Sequence, residues 1–309
     1  MIEIIDQGKT KDIERLRTPF EPRQVRMHNK DDTTAADGAR REKIDGKAAI
    51  TTRTTANFFT LLKACGFNVA YLNQDGPTTI TAYELTMIKL EVVTRGLAWG
   101  SHLERHQKAK QGDPFDPPRV DFFLKTKGLT WQGKNRNYAL LCDDPYMEIG
   151  DRDVYLYHAH EPYVRGTYFL RLSLDEAFPI PGTRELLPVI AETNRAVYET
   201  LNYAFGLLGE LLGVVITFPD MKAEYGFDSL GQLWMGDDLN AESCRLYING
   251  EHASKQGFRE NAPAELARLQ LARAADLTDH FAEVTDEVRA WVNERYLFCS
   301  SGKFPASRI

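Results

Sequence analysis

Three charged residues stand at alternating positions in the stretch GVVITFPDMKAEYG, residues 213–226: Asp220, Lys222 and Glu224. In a strand, alternate side chains share a face, so acid, base and acid would stand in a row with Met221, Ala223 and Tyr225 behind them. An edge strand with solvated charges carries the same pattern, and the row alone leaves both readings open. A second acidic pair follows in Gly236-Asp237-Asp238-Leu239, with Arg245 a few residues on in Ser243-Cys244-Arg245-Leu246. Hard oxygen ligands such as Glu224 and Asp237 suit Mg²⁺, which fills its remaining positions with waters and phosphate oxygens.

Two other stretches have chemistry in reach. Gly8-Lys9-Thr10-Lys11 puts two lysines on one strand face, within reach of a single polyphosphate, although the spacing is not that of a P-loop and a solvated strand is the plainer reading. Arg95-Gly96-Leu97-Ala98-Trp99-Gly100-Ser101 offers a guanidinium fork, a hydroxyl and backbone N–H groups that can wrap an anion, or a simple glycine-containing turn. His158-Ala159-His160-Glu161 lacks the H-E-x-x-H spacing and a third separated ligand, so it reads as an aromatic hairpin tip rather than a metal cluster.

Composition narrows the classes. The chain has 309 residues, 43% apolar and 27% charged, with a formal net charge of −6 and no basic block longer than Ala39-Arg40-Arg41. Nucleic acid and membrane surfaces are therefore not expected partners. The four cysteines form no C-x-x-C pair, the N-terminal stretch carries charge from its third residue, and no apolar run approaches the ~18 residues of a membrane span. The expectation is a cytoplasmic protein.

The elements that must position these residues read as α+β. Helical spacing over Thr55–Cys65 ends at Gly66, and Ile190 to Leu212 forms one long apolar stripe ended by Gly213. A further helix carries Leu277, Phe281, Val284, Val288 and Trp291. Strands are expected at Ile2–Ile5, Asn68–Leu72, Met87–Arg95, Val120–Lys125 and Asn137–Cys142, with a hairpin from Val154–His158 and Thr167–Leu172 inside an aromatic-rich segment, 146–187. A sheet-rich N-terminal region, 1–125, would precede a mixed α+β region, 126–309.

The order of the motifs is more specific than any one of them. Gly8-Lys9-Thr10-Lys11, the run from Asp32 to Arg40 (DTTAADGAR), LEVVTRGLAWGS, FFLK, Asp144-Pro145, DMKAEYG and GDDLNAESCRLY follow one another along the chain. This set resembles the phosphoribosylaminoimidazole-succinocarboxamide synthase, or SAICAR synthetase, family. The resemblance implies an antiparallel N-terminal sheet region packed on a larger α+β region with an ATP cleft between them. It implies that Lys9, Lys11, Met87, Lys125, Lys222 and Glu224 bind ATP, with Met87 at the adenine. Glu224 and Asp237 would hold Mg²⁺, and Lys222, Glu224 and Asp237 would form the catalytic set. Arg95, Ser101 and Arg245 would bind the ribonucleotide substrate, with Asp37, Lys255 and Arg259 on the same substrate side. Asp144 falls on another acidic family position.

The implied reaction joins an aminoimidazole carboxylate ribotide to L-aspartate at the expense of ATP, in purine biosynthesis, by a homo-oligomer. Several residues depart from the pattern: Lys89 for a proline, Thr51-Thr52 for two asparagines, Ser254 for an acid beside Lys255, and Ile248 for an aspartate. These departures keep open a paralogue that joins aspartate or another amine to a different heteroaromatic carboxylate. A non-catalytic nucleotide-binding protein is a third reading, disfavoured by the joint presence of Lys222, Glu224 and Asp237.

Overall fold

The computed structural model describes residues 3–17, 21–35, 40–134, 136–299 and 303–307, so the candidate Asp37 lies outside the described residues. The class is α+β, and the chain divides into two compact units. One comprises residues 1–87, 199–218 and 225–309, and the other 88–198 and 219–224. The boundary expected at 125/126 falls inside the second unit.

The first unit opens with β1 (Glu3–Gln7), β2 (Lys11–Arg15), β3 (Gln24–Asn29), β4 (Asp32–Ala35), β5 (Arg40–Lys43), α1 (Lys47–Ala64), β6 (Tyr71–Gly76), β7 (Thr79–Tyr83) and β8 (Thr86–Met87). Its main sheet runs β1-β2-β3-β7-β6, antiparallel throughout. Helix α1 starts eight residues before the expected Thr55. Its early turns are rich in β-branched threonine, which disguises a helix, but Thr51 and Thr54 are buried and donate their hydroxyls to carbonyls one turn back, Lys47 and Ile50.

The second unit follows with β9 (Leu90–Leu97), α2 (Ser101–Arg105), β10 (Pro114–Leu124), β11 (Thr130–Gln132), β12 (Asn137–Ala139), β13 (Tyr146–Ile149), β14 (Asp153–Tyr157), β15 (Leu170–Ser173), α3 (Leu174–Ala177) and the first half of α4 (Thr183–Leu212). The expected strand Met87–Arg95 is thus two elements. The expected hairpin is present, with Val154 opposite Leu172. After β16 (Ile216–Thr217) comes β17 (Asp220–Phe227), which gives Asp220–Glu224 to the second unit and its last residues to the first.

The first unit then closes with β18 (Leu233–Gly236), β19 (Tyr247–Ile248), β20 (Glu251–His252), α5 (Gln256–Arg259), α6 (Ala264–Asp279), α7 (Phe281–Arg295), β21 (Tyr296–Cys299) and β22 (Lys303–Ser307). The expected last helix is two, α6 and α7, broken at His280, and Leu277 sits on the first of them. Phe58, Phe205 and Phe281 form a mutual aromatic cluster within this unit, with ring centroids 5.4–6.0 Å apart. Among the described residues no helix is long and apolar enough to cross a membrane.

Candidate active site

The sheet of the second unit runs β15-β14-β13-β10-β9-β17, and β17 is an interior strand with β18 as its other neighbour. Asp220 is opposite Arg95 and Lys222 opposite Val93; across β9, Arg95 is opposite Arg119 and Val93 opposite Asp121. Opposed residues of antiparallel strands share a face. One face therefore carries Asp220, Lys222 and Glu224, then Glu91 and Arg95, then Arg119 and Asp121. On the other face Asn194 of α4 donates to the Thr94 hydroxyl (2.7 Å) and the Val92 carbonyl (3.2 Å), among the buried Met221 and Ala223. The solvated-edge reading is overturned, since Asp220 and Glu224 are each 3% exposed.

The face has two chemically different ends. At the Glu224 end the carboxylate accepts from Lys125 and, at 3.4 Å, from Lys222, whose ammonium also reaches Glu91 at 2.5 Å. Both lysine side chains are about a third exposed, at 35% and 33%, over a Glu224 side chain of 4%. Asp144 is in the left-handed region (φ 42°) and accepts the Thr126 N–H at 2.7 Å. Burial and the neighbouring Glu91 push its carboxyl up to about 6. The departure at Lys89 has a simple account: its side chain is exposed, and its carbonyl accepts the Lys125 N–H at 3.1 Å, which leaves the side chain free to vary.

The Arg95 end is an arginine lattice. Arg95 donates to Asp220 (2.5 Å), Asp121 (3.3 Å), the Trp99 carbonyl (3.1 Å) and the Ser101 hydroxyl (3.2 Å). Arg105 donates to the same Ser101 oxygen (3.1 Å), to Asp121 (3.0 Å) and to the Ala159 carbonyl (3.0 Å). Arg119 adds a 2.7 Å bond to the second Asp121 oxygen. Burial alone would raise the Asp121 carboxyl, but Arg95, Arg119 and Arg105 together hold it below its ordinary value. Burial drives the His102 imidazole down to about 4, so it adds no charge at neutral pH. Gly96 is required here, because a Cβ would lie 2.1 Å from the Tyr198 hydroxyl.

An aromatic roof covers part of this end. Phe123, Tyr146, Tyr157 and Ala159 form one buried cluster with Val93, Tyr163 and Phe169 packed against it. The Arg105 guanidinium lies over the Phe123 and Tyr146 rings at 5.0 and 4.5 Å, and the Tyr163 N–H donates to the Arg105 carbonyl at 2.9 Å.

The remaining candidates belong to the first unit. Lys9 is exposed in the turn between β1 and β2, so it does not share a strand face with Lys11, as the sequence reading had it; the Gly8 N–H bonds the Lys11 carbonyl and closes that turn. The Lys11 ammonium contacts Asp237 at 2.6 Å and Asp238, and these carboxylates raise it against the opposing effect of burial. Met87 is half-buried, opposite Gly226 on β17, where a Cβ would meet the Thr86 carbonyl at 2.9 Å. Lys255 pairs with Glu242 (3.2 Å), which also holds the buried Lys47 (2.8 Å). Burial opposes that charge, yet Lys255 and Lys47 bring the Glu242 carboxyl down to about 2. Arg245 is half-buried and Arg259 exposed at the end of α5.

Carboxylate oxygens such as those of Glu224 and Asp237 are the hard donors that Mg²⁺ takes, the two residues belong to different units, and among the described residues no three His, Cys, Asp or Glu side chains form a group that could hold a metal ion.

The family model for SAICAR synthetase matches residues 4–147 and 172–272. The chain belongs to the SAICAR synthetase family. The phosphoribosylaminoimidazole-succinocarboxamide synthase of Chloroflexus aurantiacus is 29% identical over 291 residues, 93% of this chain and 96% of that one. The enzyme of that name from Herpetosiphon aurantiacus is 30% identical over 283 residues, 89% and 96% of the two chains. Among solved structures, that from Ehrlichia chaffeensis has a TM-score of 0.64 at 20% identity, covering 90% of this chain and 98% of its own. A SAICAR synthetase in complex with ADP has a TM-score of 0.62 at 24% identity, covering 90% and 97%. These likenesses extend the membership to the fold.

Residues 148–171 fall outside the family match. They contain β14, which supplies Tyr157, and the loop that supplies Ala159, Tyr163 and Phe169 to the roof, so the unmatched segment lies within the aromatic-rich stretch 146–187 and is shorter than it. Sequence reasoning also missed Glu91, Arg105, Arg119, Asp121, Lys47 and Glu242. Glu242 had a signal, since it lies inside the motif GDDLNAESCRLY. Arg119 and Asp121 had only strand alternation with Phe123, which says nothing without the register.

Proposed function

We propose that this chain is an ATP-dependent ligase that joins the carboxylate of an aminoimidazole ribotide to the amine of L-aspartate through an acyl phosphate. The observation that carries the reading is the charged face of β17, β9 and β10, with lysines and Glu224 at one end and arginines with Ser101 at the other. Asp220 and Glu224 are four residues apart, so at ~3.3 Å per residue the ends are separated by roughly 13 Å, the scale of a nucleotide-sized acceptor lying along the strand.

The chemistry asks little of the protein as a nucleophile. A carboxylate does not accept an amine in water because oxide would have to leave. Attack of a carboxylate oxygen on the γ-phosphorus releases ADP; the aspartate amine then adds to the carbonyl, phosphate departs with the C–O electron pair, and the amine proton passes to solvent. Lys125 and Lys222 offset the charge that moves on the γ-phosphoryl group, with Lys9 and Lys11 on the remaining phosphates and Met87 at the adenine. Mg²⁺ on Glu224 and Asp237 supplies further neutralisation when bound. Arg95, Ser101 and Arg245 serve the acceptor's phosphate, with Asp37, Lys255 and Arg259 on the acceptor and amino-acid side.

A second reading, a related ligase with another heteroaromatic carboxylate, is favoured by one observation. Ser254, where the family pattern has an acid, is fully buried and its hydroxyl has no partner among the described residues. ADP release with aminoimidazole carboxylate ribotide and L-aspartate decides between them. A kcat/KM in the usual enzyme range of about 10⁴–10⁸ M⁻¹s⁻¹ supports the purine role, and a value orders of magnitude lower with ATP still bound supports the paralogue. The reading includes a homo-oligomer, measurable by light scattering, and a reducing compartment, consistent with buried Cys65, Cys142 and Cys244 that form no disulfide among the described residues.

A further inference from the structure

We propose that Arg119, with the Ser101 hydroxyl, makes the direct contact to a phosphomonoester on the acceptor, and that Arg95 is a positioning residue beneath them. The inference deepens the ligase reading and rests on it for the nature of the acceptor.

Three features of the arginine lattice point this way. The first is access. The side chains of Arg95 and Arg105 are 3% and 0% exposed, whereas that of Arg119 is 37% exposed. Arg95 spends its donors on two carboxylates, a carbonyl and a hydroxyl, so a ligand oxygen would have to displace a buried bond to reach it. Arg119 is anchored through Nε to Asp121 and through Nη2 to the Tyr146 hydroxyl at 3.4 Å, while its Nη1 has no partner among the described residues. The guanidinium is held in place with donors to spare.

The second feature is the Ser101 hydroxyl. Its oxygen already accepts from both Arg95 and Arg105, so its own hydrogen is directed away from them and acts as a donor. The third is charge. Arg95, Arg105 and Arg119 stand here with Asp121 and Asp220, and the positive charge that solvent and ligand reach is that of Arg119. A phosphomonoester meets that charge and matches the planar fork of an arginine.

The roof accounts for the sealing of the inner arginines. The Ala159 carbonyl and the Tyr163 N–H, both in the segment that the family model does not match, bind Arg105 and so seal the arginines behind Arg119.

The test is calorimetric titration of ribose 5-phosphate, with ribose as control, into the full chain and its Arg119→Met and Arg119→Lys variants. The expected result is phosphate-dependent binding that weakens by about 10- to 100-fold in Arg119→Met and by less in Arg119→Lys; the unfolding midpoint falls as well, because Arg119 also bonds the buried Asp121, so both variants are titrated well below their midpoints, where they are folded. Kinetics with the turned-over acceptor should show the same loss in KM and little in kcat. Equal binding by wild type and Arg119→Met, or no binding by wild type, overturns the assignment. Failure of the ligase reading shows separately, as absent ADP release by wild type that still binds ribose 5-phosphate.

Discussion

The two ends of the charged face are built from the same kinds of charge and behave differently. At the Glu224 end one buried carboxylate is covered by two lysines, each a third exposed; at the Arg95 end two carboxylates and two arginines are all but sealed. Lysine is a compact ammonium on a flexible stem that can swing to a phosphate when one arrives, while arginine's rigid fork is suited to a fixed lattice. On the proposed reading, the lysine end is a set of placeholders that nucleotide binding would rearrange. The arginine end is pre-organised, and its cost is borne in folding.

That contrast breaks most sharply at Arg105. Arg105→Met leaves the buried Asp121 short of a partner and should cost about 3–5 kcal/mol in urea unfolding. An effect under 1 kcal/mol would mean that the lattice is not a structural element. Glu224→Gln should instead lower kcat/KM for ADP release by about 10²–10³-fold, with stability nearly intact because its lysine partners remain solvated. Metal-dependent ATP affinity that stays at the wild-type value would remove Glu224 from the cation site.

Acid titration sharpens the comparison, because two carboxyls shift in opposite directions. Asp144, raised to about 6, keeps its proton longer folded than unfolded, so its contribution falls as pH rises from about 4 to about 6. Glu242, lowered to about 2, contributes fully above its ordinary value of 4.5, and that contribution is lost as pH drops from there towards 2. Urea unfolding across this range should show Asp144→Asn gaining on wild type between pH 4 and 6, and Glu242→Gln losing its deficit towards pH 2. The smallest effect belongs to Lys125→Met, which should change stability by less than about 1 kcal/mol while weakening ATP binding.

The sequence made the lysine end legible and the arginine end only in part. Lys125, Lys222 and Glu224 lie in short motifs whose spacing can be read directly. Arg105 and Asp121 act through register: Asp121 meets Arg95 because β10 pairs with β9 at one offset, and no local pattern prints that offset. Helix α1 was half visible because its threonines favour strands on their own and become helical only when buried against the first unit's core. The hairpin of β14 and β15 was readable because alternation and turn residues are local.

The path of β17 has a consequence for how the chain is made. Residues 88–198 can assemble most of their sheet as soon as they leave the ribosome, but β17 is synthesised only after α4 has been completed. Until then β9 is an open edge, a row of unpaired N–H and C=O groups with Leu90, Val92 and Thr94 on its apolar side. A nascent chain stalled between residues 198 and 220 would therefore present an adhesive strand.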